Sequence, residues 1–128
     1  MIIAEVLEEL KKREPIFHRK EFGRTRSDFE NMMDKDFWEV GASGNIYTKN
    51  YVLDILEDRY NKHYEEIWKT KNFKCIALSE GVYLLTYTLI QDNNRVTQRS
   101  TIWKYEGYQD WKIVYHQGTI VREKNESR

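Results

Sequence analysis

The stretch 97–121, TQRSTIWKYEGYQDWKIVYHQGTIV, constrains the fold more than any other part of the chain. It predicts two β-strands, about 97–105 and 111–121, joined by a polar turn. Side chains alternate between the faces of a strand. Arg99, Thr101, Trp103 and Tyr105 therefore share one face, and Ser100, Ile102 and Lys104 the other. Past the turn, Trp111, Ile113, Tyr115 and Gln117 fall together, with Lys112, Val114 and His116 opposite.

Upstream, 73–79 and 82–91 read as two more strands, with turn-forming residues between all four. The N-terminal half is helical. Ile3, Val6, Leu7 and Leu10 recur at helical spacing, and Pro15 predicts a break near Glu14 because it lacks a backbone donor. Ser27 to Glu30 matches a capping box for a short second helix carrying Phe29, Met32 and Met33 inward. Residues 34–36 close that helix, and Phe37 to Val40 form a strand. A Gly41 to Gly44 turn leads into a short partner strand, 45–47, which excludes a phosphate loop because no helix follows directly. Thr48 is the predicted N-cap of a third helix, whose buried stripe comprises Val52, Leu53, Ile55, Leu56 and Tyr60.

Helices first and a run of antiparallel strands second is an α+β order. A chain of 128 residues suits one domain, 1–128, able to bury roughly two thirds of its unfolded surface. A strongly curved sheet cannot bury its concave face against itself. The N-terminal helices must close over it, leaving a cone with an apolar interior, a shape that favours small ligands.

Lys plus Arg and Asp plus Glu both number 21, and this balance argues against nucleic acid as a partner. No apolar run is long enough to span a bilayer, and the early acidic residues do not fit a secretory signal. A cytoplasmic location is the expectation. Cys75, the lone cysteine, sits in an apolar strand and reads as a buried thiol. His18, His63, His116 and Cys75 lack metal-ligand spacing, so no metal or other cofactor is expected.

Several pieces in order resemble one superfamily: Asp36-Phe37-Trp38-Glu39-Val40-Gly41 with Gly44, the helix after Thr48, Leu84-Leu85-Thr86-Tyr87, Ser100-Thr101-Ile102-Trp103, Trp111 and His116-Gln117-Gly118-Thr119. Together they resemble the nuclear transport factor 2-like superfamily, closest to its SnoaL-like branch and the small bacterial domains of unknown function grouped with it. The likeness runs from about Glu5 to Thr119 and implies the cone-shaped fold. It also implies alternatives of function. Members similar to ketosteroid isomerases and polyketide cyclases use a carboxylate inside the cone as a base. The matching position here falls near Gly41, which is no acid; Glu39 lies two residues earlier on the same strand face. The kinase association-domain branch can hold a small carboxylate through arginines; the matching positions here fall on Tyr87 and near Thr101, and Arg99 is the nearest basic residue on the Thr101 face.

The residue chemistry singles out a ligand-binding group and a catalytic group. Arg99 beside Trp103 suits a carboxylate or other planar anion. Tyr87, Tyr115, Thr101, Trp38 and Gln117 complete the expected binding set. Glu39, or Glu14 paired with His18 four residues on, would serve as a general base. His116 reads as structural or interfacial, since reaching the cone requires a bulge. The sequence thus favours a small-molecule-binding domain, with an isomerase, cyclase or hydratase as one alternative and an assembly module as the other. Leu85, Ile102 and Val114, placed on the outer face by one register, predict a homodimer.

Overall fold

The structure, a computed structural model, describes residues 1–61, 68–91 and 94–122, apart from the side chains of His18, Tyr60 and Asn61. The expectations for Tyr60, for His63 and for the chain end past Arg122 lie outside the described residues.

Helix α1 spans Ile3–Arg13 and buries Val6 and Leu10. Two short 3-10 turns follow, Ile16–His18 and Lys20–Phe22, and then α2, Arg26–Asn31. Its capping box is Thr25 with Asp28 rather than Ser27 with Glu30: the Thr25 hydroxyl accepts from the Asp28 amide and Asp28 accepts from the Thr25 amide. The earlier start places Phe29 one turn into the helix, fully buried. Strand β1, Met33–Val40, begins directly after α2, so Met33 belongs to the sheet and Asp34 to Asp36 do not close a helix. Strand β2, Ile46–Thr48, leads into α3, Lys49–Asn61. Thr48 caps α3 by accepting from the Tyr51 amide at 3.3 Å.

Strands β3 (Trp68–Ser79), β4 (Val82–Gln91), β5 (Val96–Tyr105) and β6 (Trp111–Ile120) complete the chain. Among the described residues, six strands form one sheet in the order β2-β1-β6-β5-β4-β3. The expected antiparallel pairing holds except between β1 and β6, which run parallel. The α+β architecture is the predicted one: α1 lies against β3, and α3 against β1 and β2. The concave face and the helices share one core around Phe29, Phe37, Leu53, Leu85, Tyr87 and Trp103.

One irregularity fixes which β6 residues reach that core. Ile102 pairs with Tyr115 but the next residue, Trp103, pairs with Ile113, so Val114 is an extra residue in β6. Such a bulge shifts the alternation by one position. Trp111 and Ile113 stay inward, but beyond the bulge the inward residue is His116, beside Thr101. The even alternation expected for Trp111, Ile113, Tyr115 and Gln117 is corrected here: the last two face outward.

The outer face also differs from expectation. Leu85 pairs with Thr101 on the inner face and is fully buried, whereas Leu84 pairs with Ile102 and points outward. The outward row that crosses the sheet is Ile76, Leu84, Ile102, Tyr115 and Trp38. Trp38 and Tyr115 pack there as a tilted pair, with ring centroids 4.7 Å apart and planes at 53°. Among the described residues no helix is long and apolar enough to cross a membrane.

Candidate functional site

Glu14 is the residue the local sequence bends inward. Pro15 cannot continue a helix and disfavours helical geometry in the residue before it, and Glu14 is accordingly extended at φ −84° and ψ 139°. Arg19 turns back and donates to the Glu14 carbonyl through Nε and Nη2 at 3.1 and 2.5 Å. The side chain, 1% exposed, enters the core rather than standing at the rim of the cone. Its helical pairing with His18 does not form at the backbone level, since α1 stops at Arg13; the His18 side chain lies outside the described residues.

Inside, Tyr87 Oη donates to Glu14 Oε2 at 2.8 Å and Trp103 Nε1 donates to Oε1 at 3.0 Å. The Thr101 hydroxyl is a third partner. Burial pushes the Glu14 carboxyl above its ordinary range, and the three hydrogen bonds from Thr101, Tyr87 and Trp103 pull it partly back. Burial likewise raises the Tyr87 phenol, with the Glu14 charge adding to it.

His116 connects this buried acid to Arg99. Its Nδ1 lies 2.9 Å from Thr101 Oγ1 and its Nε2 lies 3.4 Å from Arg99 Nη1. A guanidinium can only donate, so Nε2 is the acceptor. That contact assigns the proton to Nδ1, which donates to Thr101 and frees the Thr101 hydroxyl to donate to Glu14. Burial first, and the Arg99 charge second, lower the His116 pKa to about 3, so the ring is neutral at physiological pH.

Arg99 is partly buried and held on two sides. Its Nε donates to Thr97 Oγ1 at 2.9 Å and its Nη1 to His116. The guanidinium lies over Gly118, where an added Cβ would come within 2.7 Å of Nη1 and 2.9 Å of Cζ. Only glycine leaves that space, as strand glycines often do where another group approaches closely. Among the described residues Arg99 makes no ion pair, although Glu39 and Glu14 both attract it. Burial lowers its pKa but a guanidinium remains charged.

These groups open into a cavity of about 300 Å³, at the small end of ligand pockets. Arg99, His116, Tyr87 and Glu39 line it from the sheet. Pro15, Ile16 and Phe17 cover it on one side, and Val52, Ile55 and Leu56 of α3 on another. Arg95 stands at the rim, donating to Ser43 Oγ at 3.0 Å and Gln91 Oε1 at 3.4 Å. Glu39 faces inward two residues after Phe37, and burial raises its carboxyl above the ordinary range against the pull of Arg99 and Arg59. No cluster of three or more His, Cys, Asp or Glu side chains among the described residues is arranged to hold a metal.

Of the residues expected from sequence, the structure brings together Arg99, Thr101, Tyr87, Trp103, Glu39 and Glu14. Trp103 and Thr101 are fully buried behind the cavity wall, so they hold Glu14 instead of touching the open space. Trp38, Tyr115 and Gln117 lie on the opposite face of the sheet, where the Tyr115 hydroxyl donates to Gln117 Oε1 at 2.5 Å. The bulge at Val114 puts Tyr115 and Gln117 there and brings in His116. Arg95, Arg59 and Gly118 were not singled out by sequence; a glycine inside a strand run was the available signal for Gly118.

Neither a known family's sequence profile nor a curated protein matches the chain. Solved structures do. One is a nuclear transport factor 2-like protein of unknown function in nutrient uptake from Rhodospirillum rubrum: TM-score 0.65, 15% identity, 95% of this chain and 100% of that one covered. An uncharacterized protein with a cystatin-like fold from Caulobacter vibrioides aligns at TM-score 0.69 and 14% identity, over 92% of this chain and 91% of the other. A nuclear transport factor 2-like protein of unknown function from Pseudomonas putida gives 0.68 at 8% identity, over 98% and 93%. The chain has the nuclear transport factor 2-like fold.

Proposed function

We propose that this domain binds a small, partly apolar molecule through a carboxylate received by Arg99. The observation that carries the reading is the Arg99 guanidinium, seated on Gly118, oriented by Thr97 and His116, and without an ion-pair partner among the described residues. A fixed guanidinium fork in a partly dry cavity suits bidentate recognition of a planar anion. Ile16, Phe17, Val52 and Leu56 supply the apolar walls. The test is calorimetry against a panel of aliphatic and aromatic carboxylates, with Arg99→Ala as the control. Saturable binding that Arg99→Ala removes while the variant keeps its melting temperature supports the reading; binding that survives the substitution rejects it.

A second reading is proton transfer by Glu39 in an isomerase or hydratase. It draws on a cavity-facing carboxyl whose proton affinity is raised by burial, the direction that favours a general base. Exchange of the α-protons of a bound ketone into deuterated water, lost in Glu39→Gln, would support it. We also propose a homodimer through the outward row Ile76, Leu84, Ile102, Tyr115 and Trp38, since an apolar stripe across a sheet face calls for cover.

A further inference from the structure

We propose that the molecule held on Arg99 is zwitterionic: an apolar amino acid whose carboxylate meets Arg99 and whose ammonium meets Glu39. This rests on the carboxylate reading above and names the ligand class. Glu39 and Arg99 flank the same imidazole. Glu39 on β1 is the register partner of His116 on β6, and Arg99 on β5 touches His116 Nε2. Both side chains line the cavity. They attract each other, yet no ion pair joins them.

Glu39 is also unsatisfied in a telling way. It receives no hydrogen bond among the described residues; only charges and burial act on it. The one sealed polar side-chain atom without a partner among those residues is Trp111 Nε1, so the Glu39 oxygens are open to the cavity. A ligand with a carboxylate alone would satisfy Arg99 while leaving Glu39 dry and repelled. An ammonium near that carboxylate answers both charges at once. The neutral His116 between them adds no charge of its own, and Arg59, which lines the same cavity, also attracts Glu39. The short reach of the cavity, about 300 Å³, limits the apolar part to one side chain of ordinary size.

The experiment is calorimetric titration with matched pairs: L-phenylalanine and 3-phenylpropanoate, L-leucine and 4-methylpentanoate, with 3-phenyllactate and 2-phenylethylamine as further probes. In at least one pair the amino acid binds about tenfold tighter than its deamino partner, and 2-phenylethylamine is weaker than L-phenylalanine. Glu39→Gln brings the pair to within about twofold by weakening the amino acid only. Tighter binding of the deamino acids to the unmodified protein overturns the inference and leaves the carboxylate reading standing. So does a preference that survives Glu39→Gln. Absence of binding by every carboxylate overturns both. The comparison on the unmodified protein decides the matter even where the variant does not fold.

Discussion

Trp103 and Glu14 stand 89 residues apart in the chain, and the indole Nε1 donates to the Glu14 carboxylate at 3.0 Å. With Tyr87 on the other oxygen, this contact ties the segment after α1 to the middle of the sheet. Glu14→Ala leaves three buried donors, on Tyr87, Trp103 and Thr101, without that acceptor, an unsatisfied donor costing about 1–3 kcal/mol where no other partner is in reach. We expect a loss of roughly 2–5 kcal/mol in urea unfolding, and a smaller loss for Glu14→Gln, whose amide oxygen keeps one acceptor. Equal losses for the two would mean that volume, not hydrogen bonding, matters there.

The acid limb of stability should report His116. Its folded pKa of about 3 lies below the ordinary 6.5, so the unfolded chain binds the proton first. The contribution is complete above pH 6.5 and is lost as the pH falls toward 3. The groups facing the ring are Arg99 and Thr101 on β5 and Glu39 on β1, with Glu14 behind Thr101. Glu14 and Glu39, raised by burial, act with the opposite sign: their contributions are full below 4.5 and fade as the pH rises. His116→Asn should flatten the fall between pH 6.5 and 3 in chemical denaturation. An unchanged slope would show that the ring titrates normally.

Gly118→Ala should separate binding from folding. The clash falls on the end of a flexible side chain, Arg99 Nη1 at 2.7 Å, so the guanidinium swings away at a cost of about 1 kcal/mol. Carboxylate affinity should drop at least tenfold while circular dichroism stays unchanged. Retained affinity in a folded variant would mean that Arg99 does not need its present seat.

Trp38 is 45% exposed, so Trp38→Glu should leave the monomer intact and place a charge in the outward row. Sedimentation equilibrium should then show a dimer for the unmodified protein and a monomer for the variant. A monomeric unmodified protein at tens of micromolar removes the dimer proposal.

Much of the fold was legible because local signals agreed with one another: helical spacing in α1, the Thr48 cap, and turn residues separating the last four strands. The inner residues of β4 and β5, Tyr87, Arg99, Thr101 and Trp103, followed from simple alternation. What was not legible depended on pairing across the sheet. Nothing in Lys112 to His116 marks Val114 as extra, since a bulge is defined by its partner strand, so His116 and Tyr115 exchanged faces. Glu14 was visible as a candidate, but its depth was not; that depends on Trp103 and Tyr87, far away in sequence. Spacing alone places the capping box on Ser27 and Glu30, whereas Thr25 and Asp28 form it; the helix starts two residues earlier, and Phe29 is inward as expected.

The extra residue at Val114 also determines how this strand could change. Deleting it would restore even alternation, and the last part of β6 would turn over as a block. Tyr115 and Gln117 would enter the cavity while His116 joined the outward row. Arg99 would lose its orienting imidazole and the sheet exterior its tilted Trp38–Tyr115 pair in the same event. The proposed ligand site and the proposed dimer face are therefore bound to a single insertion, so a lineage losing that residue would have to rebuild both together.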